Sequence, residues 1–427
     1  METDPEASAA LDALYAPSSV AVVGASPDSW YASNTVDNLL EYGYDGDLYL
    51  VNPSREEAWG RPCYDSIRDV PTVVDLAVVS VPREYVVDVV GDAGDVGVPC
   101  ALVISAGFGE ADDEGERAEA ALARTAREAG IRVVGPNCIG FASGRTGTVL
   151  TPTCSRAPAP GRIGLASQSG ALAFATFFER GADADVDFAY VVSTGNEADL
   201  SVTDHVAYMA DDPDVDVVCA YVEGVDDPRA FVETARAATR SGTPVLVAKI
   251  GRSEAGRAAA ASHTGSITGA DAVWDDALEQ AGAQRVPDVP DLVERASVHA
   301  AFDPPAGDRV AVASTSGGLA TLLADLCEDR GLSLPPLADE TERALLEMDD
   351  LLTFGEMHNP ADVRGYGADA IDEIADLLFA DDYDAYLFAV GLSAVDERAG
   401  AIADDLVAVC DRADAPVVLL WTGRREP

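Results

Sequence analysis

Short apolar runs alternate with helix-favouring stretches along most of this chain, beginning near Ser19. Buried parallel strands appear as continuous apolar runs, and strands that alternate with helices indicate βαβ units. The clearest helix-favouring stretch is 116–129, which is rich in Ala and lacks both Pro and Gly. The pattern therefore predicts an α/β fold, with a doubly wound parallel sheet in a first domain at residues 1–145. Its predicted strands are 20–23, 48–51, 76–81, 101–104 and 131–134.

The same pattern restarts after a Pro-rich stretch at 151–161, which is typical of a linker. It predicts a second domain at residues 160–301 and, after a boundary at 302–307, a third at 307–427. The predicted strands are 163–166, 188–192, 215–221 and 245–248 in the second domain, and 310–313, 386–390 and 417–421 in the third. The last run ends six residues before the chain does, where an α/β unit would continue into a helix. Two interpretations stay open: an incomplete third domain, or one piece of a longer protein.

Charge excludes one class of partner. The formal net charge is −47, from 75 acidic and 28 basic residues, and only one of the basic residues is a lysine, Lys249. A nucleic-acid binder must neutralise phosphates with Lys and Arg, so this balance argues against nucleic acid. The acidic residues are spread over the whole length, which favours adaptation to high salt over an acidic partner-binding face. We therefore interpret the charge as a halophilic surface.

The cysteines and the hydropathy point to a cytoplasmic protein. Seven cysteines, an odd number, show no C-x-x-C pair and no metal-ligand spacing, so we expect reduced thiols and no metal site. No apolar stretch approaches the ~20 residues that span a bilayer, and no signal-type segment follows the acidic N-terminus. These features predict no association with a membrane.

Four turns follow predicted strands, and each could contact a ligand. Three of them, 22–26, 104–109 and 135–140, belong to the first sheet, and ligands of open α/β sheets bind along that edge. None contains G-x-G-x-x-G, so a dinucleotide site is weakly supported. The fourth, Ser167-Gln168-Ser169-Gly170, opens a predicted apolar helix at 172–178. It suits an anion at a helix start, or a simple N-cap, equally well.

Two further residues suggest group transfer. His263 follows the segment 249–254 and lies among Ser262, Thr264 and Gly265, where a phosphate could approach the ring. An imidazole nitrogen is nucleophilic near neutral pH. Glu223 lies just past a predicted strand and could orient the imidazole, as the third member of a triad does. A packed histidine and a solvated glutamate are the alternatives for each residue taken alone.

Together these motifs resemble the α part of the ADP-forming acyl-CoA synthetases, relatives of the succinyl-CoA synthetase α subunit. The resemblance covers nearly the whole chain, and its most specific part is the loop around His263. The matching stretches are 23–26, 51–53, 81–82, 104–109, 135–138, 167–170, 195–199, 223–224, 251–269, 316–318 and 359–362. One departure is the run 30–33, which replaces a glycine-containing stretch common in relatives.

The resemblance implies a Rossmann-like CoA-binding domain followed by flavodoxin-like domains. It implies that His263 is phosphorylated with Glu223 as its partner, and that a helix start binds phosphate. The implied phosphate-binding residues are Ser167, Gln168, Ser169 and Gly170, and the implied CoA-contact residues are Gly24, Ser26, Pro53, Val81, Pro82, Ser105 and Asn137.

The reaction expected from the resemblance is acyl-CoA + ADP + phosphate ⇌ acid + CoA + ATP. The chain lacks the family's ATP-grasp half, so ADP or ATP and Mg²⁺ would be held by a β subunit or domain, and an oligomer is expected. The substrates would be a small carboxylic acid and phosphate. A non-catalytic CoA-binding regulator is the alternative, and a nicotinamide-dependent oxidoreductase is a weaker one.

Overall fold

The structure is a computed structural model that describes residues 5–183, 186–256, 271–302, 305–348, 357–391, 394 and 397–423. These residues form two compact units, residues 1–301 and 302–427. The first unit contains two seven-stranded sheets, and the second contains one sheet of four strands. The division into three domains at 1–145, 160–301 and 307–427 stays a prediction.

The first sheet has the order β3-β4-β2-β1-β5-β6-β7, and all pairs except β3–β4 are parallel. Its central strands are buried Val, Ala and Leu, which explains the continuous apolar runs in the sequence. The strands are β1 Ser19–Val23, β2 Asp47–Val51, β3 Glu57–Ala58, β4 Arg61–Tyr64, β5 Leu76–Val79, β6 Cys100–Val103 and β7 Arg132–Val134. The run predicted to end at 81 leaves the sheet at Val79, so that residues 80–82 form a turn at the edge.

Four helices accompany this sheet: α1 Pro5–Tyr15, α2 Trp30–Glu41, α3 Arg83–Asp95 and α4 Asp113–Ala129, with a short 3₁₀ turn at Ile67–Asp69. Helix α4 contains the predicted 116–129 stretch and begins three residues earlier, because the Asp112 side chain caps the N–H of Gly115. It ends at Gly130, whose left-handed backbone (φ +70°) terminates the helix. Helix α1 packs its apolar face into the core shared by both sheets.

The second sheet has the order β14-β13-β12-β10-β11-β8-β9. Four parallel strands coincide with the predicted runs, and an antiparallel hairpin (β8–β9) extends one edge. The strands are β8 Phe141–Ser143, β9 Thr148–Leu150, β10 Ile163–Ser167, β11 Phe188–Ser193, β12 Val217–Val222, β13 Val245–Lys249 and β14 Gln284–Arg285. The hairpin was not predicted, because strands of three residues give too little apolar periodicity.

The helices of the second sheet are α5 Gly170–Leu172, α6 Glu179–Asp183, α7 Val202–Asp211, α8 Pro228–Ser241, α9 Asp271–Ala281 and α10 Val289–Ala301. Between α5 and α6 the backbone continues as a π-helical segment, Ala173–Phe178. The predicted helix at 172–178 is therefore helical but not regular α-helix. Phe174, Phe177 and Phe178 are fully buried there.

The second unit has a parallel sheet of order β16-β15-β17-β18. Its strands are β15 Val310–Ser314, β16 Ala361–Asp362, β17 Ala385–Val390 and β18 Val417–Trp421, and its helices are α11 Gly317–Glu328, α12 Asp339–Glu347, α13 Ile371–Phe379 and α14 Ala399–Arg412, with a 3₁₀ turn at Gly365–Ala370. It has its own apolar core around Phe388, Ile374 and Leu406. The predicted class of tandem doubly wound α/β sheets is confirmed.

Candidate functional site

A cavity of about 670 Å³ lies at the carboxyl edge of the first sheet. Its wall combines apolar residues with polar ones, among them Asn52, Asp65, Ser66 and Asp92, and such a mixture is typical of a small-molecule site. Four of the seven predicted CoA-contact residues line it: Gly24, Pro53, Val81 and Pro82. The edge position agrees with the rule for ligands of open α/β sheets.

Gly24 shows why the first of these turns is built from small residues. Its backbone has φ +88°, and a Cβ at this position would lie 2.2 Å from the carbonyl oxygen of Ser80. Only glycine fits both conditions. The N–H of Gly24 donates to the carbonyl of Val51 at 2.9 Å, which joins the turn to the end of β2. The glycine thereby lets two strand ends approach closely beside the cavity.

Ser105 fixes the wall of the cavity, whereas Ser26 lies beside it. The Ser105 hydroxyl donates to the Val81 carbonyl at 2.5 Å and accepts the N–H of Val81 at 3.1 Å. Ser26 is absent from the residues that line the cavity. Its hydroxyl instead accepts a hydrogen bond from Arg55 at 3.2 Å. Arg55 is a cation that the sequence did not single out.

A second cavity of about 470 Å³ lies between the first sheet and the start of α5. Its wall combines predicted CoA-contact residues with predicted phosphate-binding residues, namely Val81, Pro82, Ser105 and Asn137 with Gln168, Ser169 and Gly170. Ser80, Val81 and Pro82 line both cavities. The turn at 80–82 is therefore common to the two.

The start of α5 has the features of an anion site. The Ser169 side chain caps the N–H of Leu172, and the first N–H groups of a helix, here those of Gly170 and Ala171, have no intrahelical acceptor. A Cβ on Gly170 would lie 2.5 Å from Ile139, so glycine allows the helix start to pack on the 135–140 turn. Ser167 is buried and its hydroxyl donates to the Ser169 carbonyl at 2.8 Å. Ser167 thus shapes the turn instead of lining the cavity.

The side chain of Gln168 is hydrogen-bonded to the backbone just after β12. Its side-chain oxygen accepts the N–H of Glu223 at 2.6 Å and of Gly224 at 3.1 Å, and its amide nitrogen donates to the Gly224 carbonyl at 2.7 Å. Glu223 itself is buried, 5% exposed. The two predicted residues are therefore brought together, although 55 positions separate them in sequence.

A network that sequence reasoning missed joins the two sheets. Asn196 donates from its side-chain amide to Glu110 at 2.6 Å and to Glu119 at 2.7 Å, and accepts a hydrogen bond from Asn137 at 3.1 Å. Burial acts to raise the pKa of Glu110, but the hydrogen bond from Asn196 and those from backbone N–H groups, including Gly107 and Phe108, hold it below its usual value. The only signal was that 195–199 belongs to the stretches that resemble the family.

Glu197, in the same turn, has a left-handed backbone (φ +63°) and accepts hydrogen bonds from Thr194 at 2.7 Å and from the N–H of Val202 at 3.0 Å. Burial of its carboxyl raises the pKa to about 7. The carboxyl of Glu197 is therefore easier to protonate than that of an exposed glutamate, and it lies beside Gln168 of the turn at 167–170.

His263 lies outside the described residues, so its predicted role rests on sequence. Among the described residues no group of three His, Cys, Asp or Glu side chains is placed to hold a metal ion. No helix in that part of the chain is both long and apolar enough to cross a membrane.

Two parts of the first unit each match a known protein family, and these matches define the class of protein. Residues 18–144 match the family described as a CoA binding domain, and residues 160–299 match the family described as a succinyl-CoA ligase like flavodoxin domain.

Two similar proteins of known function make the family assignment more specific. The α subunit of acetate–CoA ligase [ADP-forming] I from Pyrococcus furiosus is 36% identical over 366 residues, which are 83% of this chain and 77% of that one. Acetate–CoA ligase [ADP-forming] I from Archaeoglobus fulgidus is 38% identical over 83% of this chain, which spans about half (51%) of that protein's length.

Solved structures agree with the curated relatives. The dinucleotide-forming acetyl-coenzyme A synthetase 1 of Candidatus Korarchaeum cryptofilum superposes with a TM-score of 0.87 at 32% identity, covering 96% of this chain and 88% of that one. The same enzyme in complex with phosphate and ADP gives a TM-score of 0.85. The chain belongs to the ADP-forming acyl-CoA synthetases, an acid–CoA ligase family, and corresponds to their α part.

Proposed function

We propose that this α-type chain interconverts acyl-CoA, ADP and phosphate with acid, CoA and ATP through an acyl phosphate and a phosphohistidine at His263. The observation that carries the proposal is the turn at 80–82, which lines both cavities. A CoA molecule in the first cavity can reach along this turn, so that its thioester lies near the N–H groups of Gly170 and Ala171. Free N–H groups at a helix start favour a phosphate there.

In the first step a phosphate oxygen attacks the thioester carbonyl, the C–S bond breaks, and the CoA thiolate leaves and takes a proton. In the second step a nitrogen of His263 attacks phosphorus, the P–O bond to the carboxylate breaks, and the free acid leaves. In the third step an oxygen of ADP, held by the partner half, would attack the phosphohistidine, the P–N bond would break, and ATP would form. Glu223 would hold the other ring nitrogen and so stabilise the charged ring. The N–H groups at the start of α5 would stabilise the phosphate in the first step.

The proposed CoA site fits the residues around the first cavity. Apolar walls from Val81 and Pro82 suit the pantetheine arm, and the glycine turn at Gly24 allows close backbone approach. Arg55 donates to the Ser26 hydroxyl and also pairs with Asp28, so a CoA phosphate at this position would have to displace that carboxylate from the guanidinium. Asn137 and Ser105 would contact the thioester end.

ADP and Mg²⁺ would be held by an ATP-grasp β subunit or domain. The α chains of the Pyrococcus furiosus ligases are named as separate subunits, which supports a partner of this kind. A cytoplasmic, halophilic enzyme that uses a small carboxylic acid, such as acetate, and assembles as an oligomer fits the charge, the cysteines and the relatives.

Phosphoprotein formation tests the proposal. Acetyl-CoA with ³²P-labelled inorganic phosphate should leave acid-labile, base-stable label on the chain. His263→Asn should remove the label and keep CoA affinity, measured by calorimetry, while Glu223→Gln should weaken labelling without abolishing it, since an orienting group contributes less than the nucleophile.

The controls separate the rival functions. Label that persists in His263→Asn would contradict the nucleophile. CoA binding without any label, with an active ATP-grasp partner present, would instead support the non-catalytic regulator. That alternative is not favoured, because the curated relatives are ligases.

A further inference from the structure

One side chain beside Glu223 is chemically unlike every other in the chain. Of the 28 basic residues, 27 are arginines and one is Lys249, the last residue of β13. Lys249 is buried, 4% exposed, whereas lysines are almost never buried unless they are paired. A buried ammonium destabilises a fold unless it is fully hydrogen-bonded. Its position therefore calls for a specific explanation.

The contacts of Lys249 show what it holds. Its Nζ donates to the backbone carbonyl of Glu223 at 2.7 Å and to that of Ile250 at 2.5 Å. The ammonium also lies 5.6 Å from the ring centroid of Trp274, which favours a cation there. Both acceptors lie where β12 and β13 end, so the ammonium ties the two strand ends together.

Glu223 is thereby held from both sides. Its N–H is bound by the Gln168 side chain at 2.6 Å, and its carbonyl by Lys249 at 2.7 Å. The two holding side chains come from the ends of β10 and β13, the strands on either side of β12 in the sheet. With both peptide groups of Glu223 fixed, the direction in which its side chain leaves the backbone is fixed as well.

The charges around the ammonium come from three elements. Arg285 of β14 donates to the Lys249 carbonyl at 3.3 Å and pairs with Asp271 of α9 at 2.5 Å. Burial lowers the pKa of Lys249 and Arg285 lowers it further, while Asp271 and Glu223 act in the opposite direction. Burial, together with the negative charge of Glu223, raises the pKa of Tyr221 on β12 to about 12.

We propose that Lys249 is a positioning residue for phosphoryl transfer, which holds the Glu223 main chain and keeps a positive charge beside its carboxylate. The inference rests on the proposed function. A guanidinium is a planar fork with five donors and cannot place a compact charge between two converging carbonyls, which explains why this one position is lysine in an arginine-rich chain. Lys249 acts through Glu223 and need not touch the substrate.

The electrostatic link is tested without turnover. Protein grown with ¹³C,¹⁵N-labelled lysine gives the side-chain signal of one residue, because the chain has one lysine. In Glu223→Gln the titration of this signal should move to lower pH, since the nearby carboxylate is lost. Glu233→Gln, on the exposed face of α8, makes the same chemical change and should leave the signal in place. An unchanged titration in Glu223→Gln would overturn the inference.

The kinetic test uses the rate of labelling from acetyl-CoA and labelled phosphate. Lys249→Met should slow labelling on the order of a hundredfold, the effect of a misplaced reacting group, while the Kd for CoA stays within about twofold. The acid limb of its pH–rate profile should move to higher pH, because Glu223 loses its nearby positive charge. Arg229→Met removes a positive charge from an exposed side chain of α8 and should label at the wild-type rate.

A double-mutant cycle separates positioning from a merely structural role. In the Glu223→Gln background, Lys249→Met should slow labelling much less than it does alone, because the two residues act on one function. Fully additive effects, or a wild-type rate and pH profile in Lys249→Met, would overturn the inference. If Lys249→Met does not fold, Lys249→Arg takes its place: it should also slow labelling, because a guanidinium cannot place a compact charge between the two carbonyls, and a wild-type rate would overturn the inference. A folded wild-type chain that takes no label would instead overturn the proposed function.

Discussion

A buried histidine should make the stability of the first unit depend on pH. His205, on α7, is fully buried, and its Nδ1 lies 2.7 Å from the hydroxyl of Tyr15 on α1. Among the described residues its Nε2 has no hydrogen-bond partner. Tyr15 also packs on Tyr190 and Tyr208, at centroid distances of 4.6 and 5.2 Å. The imidazole therefore lies under the helix that packs on both sheets.

The size of the change in the free energy of unfolding follows from the shift in the pKa of His205. Burial lowers the pKa of His205 from 6.5 to about 4, with Asp204 acting in the opposite direction. Between these values the unfolded chain binds the proton and the folded chain does not, so the free energy of unfolding falls as the pH is lowered from about 6.5 to 4. At 1.36 kcal/mol per pKa unit, the loss is on the order of 3 kcal/mol.

Urea unfolding followed by circular dichroism, at constant multimolar KCl and several values between pH 7.5 and about 4, measures this loss. His205→Gln keeps an acceptor for Tyr15 but does not titrate, so the stability difference between wild type and variant should change by about 3 kcal/mol over that range. Tyr15→Phe is the matched control: it removes the hydroxyl but keeps the buried imidazole, and should retain the wild-type slope. If the free energy of unfolding depends on pH in the same way in wild type and His205→Gln, the reasoning is refuted.

Two further predictions concern the first cavity, as the proposed CoA site, and the net charge. Gly24→Ala should lower CoA affinity more than tenfold in calorimetry, because its Cβ would lie 2.2 Å from the Ser80 carbonyl at φ +88°. Gly43→Ala, at φ +83° with nothing within 4 Å, controls for backbone strain alone. Equal CoA affinities in the two variants would contradict the steric argument. The melting temperature should rise from dilute to multimolar KCl, because salt screens the repulsion within a net charge of −47, and an unchanged value would remove the halophilic interpretation.

The sequence was sufficient for the fold wherever a strand is buried on both faces. Strands such as Val245–Lys249 and Val310–Ser314 are buried throughout, so nearly every residue in them is apolar and the run is visible. The β8–β9 hairpin was missed because its three-residue strands carry no period and pair antiparallel at an edge. The π-helical segment at Ala173–Phe178 was missed because its apolar content is the same as that of an ordinary buried helix.

For the candidate site, the sequence could indicate the residues that form a local pattern, but not those whose positions depend on distant partners. Small residues at strand ends reveal where a chain can approach a ligand, so the turns that contain Gly24 and Gly170 could be found from the pattern, whereas Pro82 was found only through the family resemblance. The position of Gln168 is fixed by hydrogen bonds to residues 55 and 56 positions away, and no local pattern carries that information. The same holds for Asn196, whose partners lie 59 to 86 positions away.

The turn at 195–200 joins the second sheet to the first by hydrogen bonds. The N–H groups of Asn196 and Ala198 donate to the carbonyls of Pro136 and Gly135 at 2.9 and 3.0 Å, and the N–H of Leu200 donates to that of Val133 at 3.0 Å. The turn that follows β11 is thereby hydrogen-bonded along the edge of the first sheet. The first cavity and the start of α5 consequently lie on two sheets that this turn hydrogen-bonds together. Under the proposed function, phosphate can therefore meet the thioester without a rearrangement of the two sheets.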